Sequence, residues 1–565
     1  MTTIGGLLDT AKRALNTQTQ AIRVVGDNIA NVNTPGYSRR RGDIVTEPAA
    51  GAVGVEVGLG VNLDRSVRIV DEFLNKELGV RISDRAFAEI RDEILKRAES
   101  SFALDGATGR VGYQFNDFFA ALEDLQTNPA DIPLRTQVIQ KGSDLVNSIR
   151  QTYNQLASLQ READQRTGIL IEDVNRLTRS IATVNFEITK ADTSNQEALT
   201  LRDQRDQLMR DLSELVSFNS VENTDGTILI YLQNGFPLVN GSSNRDLAFS
   251  VDSTLPPGLD GNPIRQVTFE FNPGPPPIYQ DLTNVIAQGQ GEIGGLLALR
   301  GVQTAAPGAT TFDADGELVR LATRIEYMTR DLLTRFNTEY LGLADVDGVP
   351  ATLEVAAYDL DGNAPTTVGD QASIYALFSF EGLTNIAPAV YDADSDGVPE
   401  LTDLDNIIAN VPSVSSFSRI LTFNVSDERE FAAGRDVDTT TNGVQVATGD
   451  ASNVNGVLSL RRNAVNYNDL GALSGNQVTY ASTTIEDLYG LTASNVGALS
   501  ARAADDVTIF GDREAQVREL QQSVSGVNLD EEFAKLINFQ RGFEAAARMI
   551  RVGDDLFTQI LQLLG

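Results

Sequence analysis

The residues best suited to chemistry are acidic side chains with the spacing of a calcium-binding loop. Asp392, Asp394, Asp396 and Asp403 occupy its first, third, fifth and twelfth positions, and Gly397 stands at the sixth. The twelfth position normally carries a longer, bidentate glutamate. Similar D-x-D-G fragments at 345–348 and 359–362 favour a simpler interpretation, in which acidic turns are common here. We therefore expect no cofactor and keep calcium as a hypothesis.

Few other kinds of catalytic or metal site are possible, because the chain contains no cysteine, no histidine and no tryptophan. These absences exclude disulfides, thiolate nucleophiles, Ser-His-Asp triads and zinc sites built on HExxH. Catalysis would have to rest on carboxylates, lysine, serine or tyrosine, and nothing in the sequence singles out a pair of them. We predict that the protein is not an enzyme and has no catalytic metal.

The charge balance limits the partners. A formal net charge of −33 over 565 residues argues against nucleic acid and against anionic membranes, because phosphate groups are bound by basic surfaces. The basic run Arg39–Arg41 is short and typical of cations beyond a helix C-terminus. No apolar run approaches the roughly 20 residues that span a bilayer, and Met1–Thr19 lacks the pattern of a secretory signal peptide. We expect a soluble chain, or one exported without such a signal.

Residues 527–565 carry the repeat of one long assembly helix. Apolar side chains recur every seven positions, and a second line lies four positions behind the first, which makes a narrow stripe of the coiled-coil type. Such a stripe is too narrow to form a core alone, so it needs a partner. The predicted interface residues are Leu529, Phe533, Leu536, Phe543, Ile550, Phe557 and Leu561.

The matching stripe lies at the other end of the chain. Residues 1–32 repeat the same 4-3 spacing, with predicted interface residues Ile4, Leu8, Leu15, Ile22, Val25 and Ile29. Residues 1–42 carry a net charge of +4 and residues 527–565 one of −2, and opposite signs favour pairing, although exposed ion pairs are weak. We predict that the two ends pair, each with a seam glutamine, Gln18 and Gln540. The alternative is two unrelated helices on the surface of a globular body.

The patterns between the ends predict a mixed, mainly α fold with long helices and β-rich segments. We predict four domains. These are a terminal coiled-coil assembly domain (1–43 with 524–565), a helical rod domain (44–215 with 312–343 and 449–523), a β-rich segment (216–311) and an inserted β domain (344–448). A chain that leaves along a rod and returns along it brings both ends together.

One string, DNIANVNTPGYSR at 27–39, has a local reason for every element: asparagines and small residues end a helix, Pro-Gly makes a turn, and a tyrosine packs the exit. Its key residues are Asn28, Asn31, Asn33, Thr34, Pro35, Gly36 and Tyr37. The string closely resembles the N-terminal signature of bacterial flagellar rod, hook and hook-associated proteins. Stretches at 60–74, 291–301, 449–460 and 525–550 resemble that family in the same order. The TPGYSR ending is most similar to the hook-associated members.

This resemblance implies a structural adaptor of the extracellular flagellum that joins hook to filament. The chain would leave the cell through the flagellar type III apparatus, without a cleaved signal. Its terminal helices would be loosely structured before assembly, would pair on assembly and would line an inner tube, with the 344–448 insertion facing outward. The implied partners are further copies in a helical ring, the hook protein, the next junction protein and an export chaperone on the C-terminal helix.

Two alternatives remain open. Within the structural class, the chain could be another axial protein, such as the hook protein or a second junction protein. Outside it, the chain could be a calcium-stabilised surface adhesin whose helices serve only as a stalk. The adhesin hypothesis gives no reason for the DNIANVNTPGYSR string.

Overall fold

The structure is a computed structural model. It describes residues 4–47, 60–102, 111–193, 198–251, 257–272, 278–302, 316–341, 377–381, 416–429, 431–434, 437–438, 445–446, 449–467 and 481–564. The chain forms two compact units, and the predicted mixed, mainly α fold class is confirmed. The first unit comprises Met1–Arg85, Asp173–Asp246 and Thr508–Gly565, and the second comprises Ala86–Glu172 and Leu247–Val507.

Three long helices contribute residues to both units. They are α2 (Glu72–Phe102), α4 (Ile132–Thr193) and α12 (Ile485–Ser525). The first unit adds α1 (Ile4–Ala30), the hairpin of β1 (Arg40–Thr46) and β2 (Val61–Arg68), α5 (Leu199–Leu215), β3 (Asn219–Glu222), β4 (Ile228–Tyr231), β5 (Pro237–Asn240), β6 (Ser243–Asn244) and α13 (Leu529–Leu564). Strands β3 to β6 form an antiparallel sheet in sequence order.

The first helix stops where the sequence predicts. After α1, the backbone N–H of Tyr37 donates to the carbonyl of Thr34 at 3.2 Å, closing a turn with Pro35 and Gly36 at its centre. Gly36 has φ +79°, the conformation that a type II turn requires after proline. The turn directs the chain into β1, which pairs antiparallel with β2.

Buried side chains of α4 form part of the core of the first unit. Val174, Ile181 and Ile188 are fully buried, as their 4-3 spacing predicts. Among them, buried Asn185 reaches the β3–β6 sheet: its Nδ2 donates to the carbonyls of Ile228 at 3.0 Å and Gly241 at 2.8 Å, and its Oδ1 accepts the N–H of Ile228 at 3.2 Å. A buried amide with these partners fixes the sheet against the helix.

The second unit contains the remaining elements. They are α3 (Val111–Thr127), β7 (Ala248–Val251), β8 (Arg265–Asn272), β9 (Ile278–Asp281), α6 (Thr283–Ala287), α7 (Glu292–Arg300), α8 (Glu317–Asp331), α9 (Asn337–Leu341), β10 (Phe378–Phe380), α10 (Phe417–Ile420), β11 (Leu421–Phe423), β12 (Val437–Asp438), β13 (Gln445–Val446) and α11 (Ser452–Leu460). A π-helical turn, Leu332–Phe336, joins α8 to α9. The residue patterns predict a helix over about 314–341 and strands over 227–233 and 266–271, and α8 to α9, β4 and β8 confirm them with small shifts of their ends.

Aromatic side chains form much of the core of the second unit. Phe118 contacts Phe119, Phe378 and Phe423 with ring centroids about 6 Å apart, and Phe336 contacts Phe119 and Phe378 at 6.1 Å. Edge-to-face and tilted ring pairs of this kind stabilise a core beyond their buried area. Of the predicted 344–448 insertion, the pair β10–β11 packs into this cluster.

A buried carboxylate anchors the segment around α10. Glu326 accepts hydrogen bonds from the backbone N–H groups of Phe417 (2.9 Å) and Ser418 (3.0 Å) and from the hydroxyls of Ser416 (2.5 Å) and Ser418 (2.7 Å). A negative charge at these N–H groups is electrostatically favourable.

Of the helices in the described ranges, none has the length and apolar character to cross a membrane.

Candidate functional site: the paired terminal helices

Helices α1 and α13 lie against each other in antiparallel orientation. Asn28 contacts Glu532, and further along the pair Gln18 lies at Gly542 and Leu8 at Gly553. Steps of 10 residues toward the start of α1 are thus matched by steps of 10 and 11 residues toward the end of α13. Residues from the two ends of the chain therefore form one two-helix element.

Two glycines let the helices approach closely. A Cβ on Gly542 would lie 2.8 Å from Cδ of Gln18, and one on Gly553 would lie 2.6 Å from Cδ2 of Leu8. Ala546, between them on α13, is buried. Small residues at these positions bring the α13 backbone against α1 side chains.

On α1, the predicted stripe turns inward. Val25 is buried, and Leu8, Leu15, Ile22 and Ile29 are half-buried. Ala11, Thr17, Ala21 and Asn28 are buried with them. Thr17 also contacts the hairpin, because its hydroxyl donates to the carbonyl of Val61 at 3.0 Å. Ile4 lies in α1, but its side chain is outside the described part.

On α13, the described contacts with α1 lie at positions other than the predicted stripe, and the predicted interface residues stay a prediction. The contacting face follows Glu532, Gly542, Ala546 and Gly553. Leu536 and Ile550 are half-buried, whereas Leu529, Phe533, Phe543 and Phe557 are 37–50% exposed. A buried carboxylate and two glycines mark these contacts, and none of them contributes to a hydrophobic repeat. The side chain of Leu561 lies outside the described part.

The two predicted seam glutamines lie in different environments. Gln18 lies against Gly542, and Gln540 is exposed. Oε1 of Gln18 is buried and has no hydrogen-bond partner among the described residues. Gln18 therefore fills the space above a glycine.

Apolar side chains that are partly exposed form a set on α13, which we call the exposed apolar set. It consists of Leu529, Phe533, Ile537, Phe543, Met549, Val552, Leu556 and Phe557, each 37–55% exposed. At about 100° per residue, Leu529, Phe533 and Ile537 fall on one flank of the contact face, and Met549, Val552 and Leu556 fall on the other. Apolar side chains this dense on one helix form a candidate interaction surface.

Asn28, from the DNIANVNTPGYSR string, is the polar centre of the site. Its Nδ2 donates to the carbonyl of Arg40 at 2.8 Å and to Oε2 of Glu532 at 2.9 Å. Its Oδ1 accepts the hydroxyl of Tyr37 and the backbone N–H of Arg40, both at 2.9 Å. This one side chain therefore joins α1, the turn, β1 and α13.

Tyr37 closes the turn over this centre. The Arg40 guanidinium carbon lies 5.1 Å from its ring centroid, a cation–π distance. Burial raises the pKa of Tyr37 to about 12, because the phenolate would lose hydration. Its hydroxyl therefore remains a donor to Asn28 at neutral pH.

Arg40 and Arg68 connect the hairpin to α5. Arg68 Nε lies 3.0 Å from Asp203 Oδ1, and Arg40 Nη2 lies 3.6 Å from Asp203 Oδ2. Arg68 also pairs with Asp206. Burial raises the pKa of Asp203, and the nearby guanidinium groups oppose that rise. The basic run after α1 is thus part of a partly buried ion-pair cluster.

Arg39 ties the turn to the start of α13. Its backbone N–H donates to the carbonyl of Ser525, and its Nη1 lies 2.9 Å from Glu531 Oε2. Asn31 bonds to the Asp27 carbonyl and accepts the hydroxyl of Thr34. The remaining residues of the string, Asn33 and Pro35, are exposed.

Sequence reasoning missed three residues that tie α1 and the string to other elements. Glu532, Asp203 and Thr17 were not candidates, because each lies far along the chain or within an ordinary helical pattern. The one usable signal was Glu532 itself, a charged residue flanked by the apolar positions Phe533 and Leu536.

The calcium hypothesis is not tested by the structure. Asp392, Asp394, Asp396 and Asp403 lie outside the described residues. Within the described ranges, no group of three or more acidic side chains is placed to hold a metal ion.

Three protein-family models match parts of the chain. The model "Flagellar hook-associated protein FlgK helical domain" matches residues 95–350. The model "Flagella basal body rod protein" matches residues 8–37, and "Flagellar basal body rod FlgEFG protein C-terminal" matches residues 521–563. The two terminal matches coincide with α1 and α13.

Three relatives that align with nearly the whole chain have the same name. Flagellar hook-associated protein 1 of Escherichia coli (strain K12) is 24% identical over 593 residues, and that of Salmonella typhimurium (strain LT2) is 25% identical, each covering 99% of this chain and 100% of the relative. The protein of the same name from Bacillus subtilis (strain 168) is 23% identical over 569 residues, covering 99% and 98%.

A solved structure has the same fold. The flagellar hook junction protein FlgK from Burkholderia pseudomallei superposes with a TM-score of 0.56 at 13% identity, covering 80% of this chain and 100% of that one. At this identity the likeness concerns the fold alone.

Proposed function

Because the chain resembles flagellar hook-associated protein 1 along its whole length, we propose that it is a structural component of the bacterial flagellum at the junction between hook and filament. The family models support separately that the chain is a flagellar component and that it is a hook-associated one. Their terminal matches are to rod proteins of the basal body, and the match at 95–350 is to the hook-associated helical domain.

Polymerisation runs through the paired terminal helices. The observation that carries this step is the exposed apolar set of α13, beside a face already occupied by α1. A monomer that has paired its own two ends still exposes a row of large apolar side chains. Burying them against another copy is favourable at roughly 25 cal/mol per Å² of apolar surface.

The partners follow from this position. The chain forms a ring with further copies, with the hook protein on one side and the next junction protein on the other. Before assembly, an export chaperone covers the C-terminal helix, since the exposed apolar set would otherwise promote aggregation. The site is extracellular, and the chain reaches it without a cleaved signal peptide.

The role is structural and involves no catalysis. The side chains of Asn28, Tyr37 and Glu532 and the backbone of Arg40 are joined by hydrogen bonds, so the site has the character of a joint between elements. The runner-up function, another axial protein such as the hook protein, is disfavoured by the match of residues 95–350 to the hook-associated helical domain.

Replacing Phe533 by Asp tests the proposal. Phe533 is 47% exposed on α13, so a charge there leaves the fold intact but must be desolvated when a neighbour covers it. With the variant in place of the native gene, we expect normal export and helical circular dichroism of the purified chain, no incorporation at the junction and loss of filaments.

Asn538→Asp, an equally charged change at an exposed polar position of the same helix, is the matched control and is expected to assemble normally. Immunogold labelling of purified hooks gives the readout. Incorporation of Phe533→Asp at the level of the control would refute assembly through this surface.

A further inference from the structure

One polar contact lies within the face where α1 and α13 meet. Asn28 Nδ2 donates to Glu532 Oε2 at 2.9 Å, and both side chains are 0% exposed. Gly542 and Gly553 make the contacts further along the pair. A carboxylate and an amide are the costliest groups to bury in such a place unless they are matched.

Both groups are fully matched in the observed alignment. The two hydrogens of the Asn28 amide and both lone pairs of its oxygen are engaged. The other Glu532 oxygen accepts Lys535 Nζ at 2.7 Å.

The apolar repeat alone does not select this alignment. Heptad-patterned helices retain similar contacts when one slides by seven residues, and buried polar residues are what distinguishes the registers. In an antiparallel pair, sliding one way sets Phe539 opposite Asn28, which leaves a buried N–H without an acceptor. Sliding the other way sets Glu532 opposite buried Ala21, which leaves a carboxylate without its donor. Either error is penalised.

We infer that the Asn28–Glu532 contact is the polar, specificity-determining contact that fixes the register of the two terminal helices, in addition to the close approach at Gly542 and Gly553. This inference rests on the proposed function, because the register decides where Phe533 and Val552 stand on the outer surface of the first unit. A neighbouring copy can meet only one such arrangement.

The absence of cysteine permits a direct test by disulfide trapping in the purified full chain. Gln18→Cys with Gly542→Cys reports the observed register. The cysteine at 18 also removes the amide group that lies closest to Gly542. In the slipped registers, position 18 faces Met549 or Lys535, so Gln18→Cys combined with Met549→Cys or with Lys535→Cys reports them. Disulfides form only when the two Cα atoms are about 4.4–6.8 Å apart.

Each reporter pair is oxidised with and without the double change Asn28→Leu, Glu532→Leu. This change removes both partners, so it leaves no unpaired polar group and lets the helices stay paired. We expect the 18–542 disulfide to dominate with Asn28 and Glu532 present. In the double variant, we expect the ratio of slipped to observed-register disulfides to rise about tenfold or more.

An unchanged ratio in the double variant would overturn the inference. So would the loss of all three disulfides, since the contact would then be needed for pairing itself. Glu532→Gln keeps a carbonyl acceptor for Asn28 and is expected to keep the original ratio; slippage equal to that of the double variant would also contradict the inference. Trapping uses the unassembled chain, so its failure is distinguishable from a failure of the Phe533→Asp assembly test.

Discussion

At the scale of single residues, Tyr37 links ionisation to the stability of the turn after α1. Burial raises its pKa from 10.0 to about 12, so the folded state holds the phenolic proton more tightly than the unfolded state does. Its contribution to stability is complete below about pH 10 and is lost as the pH rises through about 12. The folded state is therefore expected to lose stability as the solution becomes alkaline.

We expect Tyr37→Phe to be less stable than the original chain at pH 9, because Asn28 Oδ1 loses the hydroxyl donor at 2.9 Å. The difference should shrink by pH 11.5, where the original chain is losing the same contribution. Urea unfolding at the two pH values measures it. Tyr113→Phe, at a tyrosine that is 56% exposed, is the control. A constant difference for Tyr37→Phe would contradict the assignment.

In the second unit, the sharpest single-residue prediction concerns Glu326. Replacing it by Ala removes the acceptor of four donors around α10 and should destabilise the unit by on the order of 3 kcal/mol. Hydrogen exchange of 416–423 should rise with it. Thr323→Ala on the same helix removes a hydroxyl that donates to the Val319 carbonyl within its own helix and should change stability by under about 0.5 kcal/mol. Equal effects of the two changes would refute the anchoring role.

Residue-scale prediction from sequence succeeded where the cause was local. The Pro35-Gly36 turn follows from backbone geometry alone, and the structure confirms it. The role of Asn28 depends on Glu532, which is 504 positions away, and no local pattern carries that information.

At the scale of elements, the closeness of α1 and α13 depends on glycine. Gly542→Leu places an isobutyl group where even a Cβ would lie 2.8 Å from Gln18, so we expect the helices to separate. The expected result is faster amide exchange throughout α1, with the helicity of α13 retained.

The control for this prediction is Gly26→Leu in α1. Apart from its chain neighbours and its own helix backbone, no atom of the described residues lies within 4 Å of a Cβ built there, and leucine favours a helix over glycine by about 0.5–1 kcal/mol. We expect unchanged or slower exchange for this variant. If Gly542→Leu behaves like Gly26→Leu, the close approach of the helices is not important.

Helical elements were predictable because the repeat of apolar residues survives in any packing arrangement. Helices α1, α4, α12 and α13 all lie where the patterns place them. Their rotation was not predictable for α13, since the faces follow from the partner. Two glycines and a buried glutamate mark the contact with α1, and none of the three contributes to a repeat of hydrophobic residues.

At the scale of the whole molecule, charge opposes assembly. Copies with a net charge of −33 repel one another, and raising the ionic strength from about 0.01 M to about 0.15 M shortens the screening length from about 30 Å to about 8 Å. We therefore expect the critical concentration for polymerisation to fall over this range, as measured by sedimentation. Phe533→Asp should stay unpolymerised at both salt concentrations. Polymers that dissolve as salt is added would show that ion pairs, and not apolar contacts, hold the copies together.

Domain organisation is where composition informs least. The predicted four-domain division follows changes in residue type along the chain and stays a prediction. The two compact units exchange the chain several times, and α2, α4 and α12 each contribute to both. Composition does not report where a continuous helix passes from one unit into another.

The 504-residue separation of Asn28 and Glu532 also determines how much time passes between the synthesis of these two residues. At 5–20 residues per second, a ribosome needs roughly 25 to 100 s to advance from one to the other. Throughout that interval, the face of α1 that α13 will cover has no partner within its own chain. Helix α1 is thus synthesised first but is among the last elements to complete its packing. The delay is set by the length of the chain between α1 and α13.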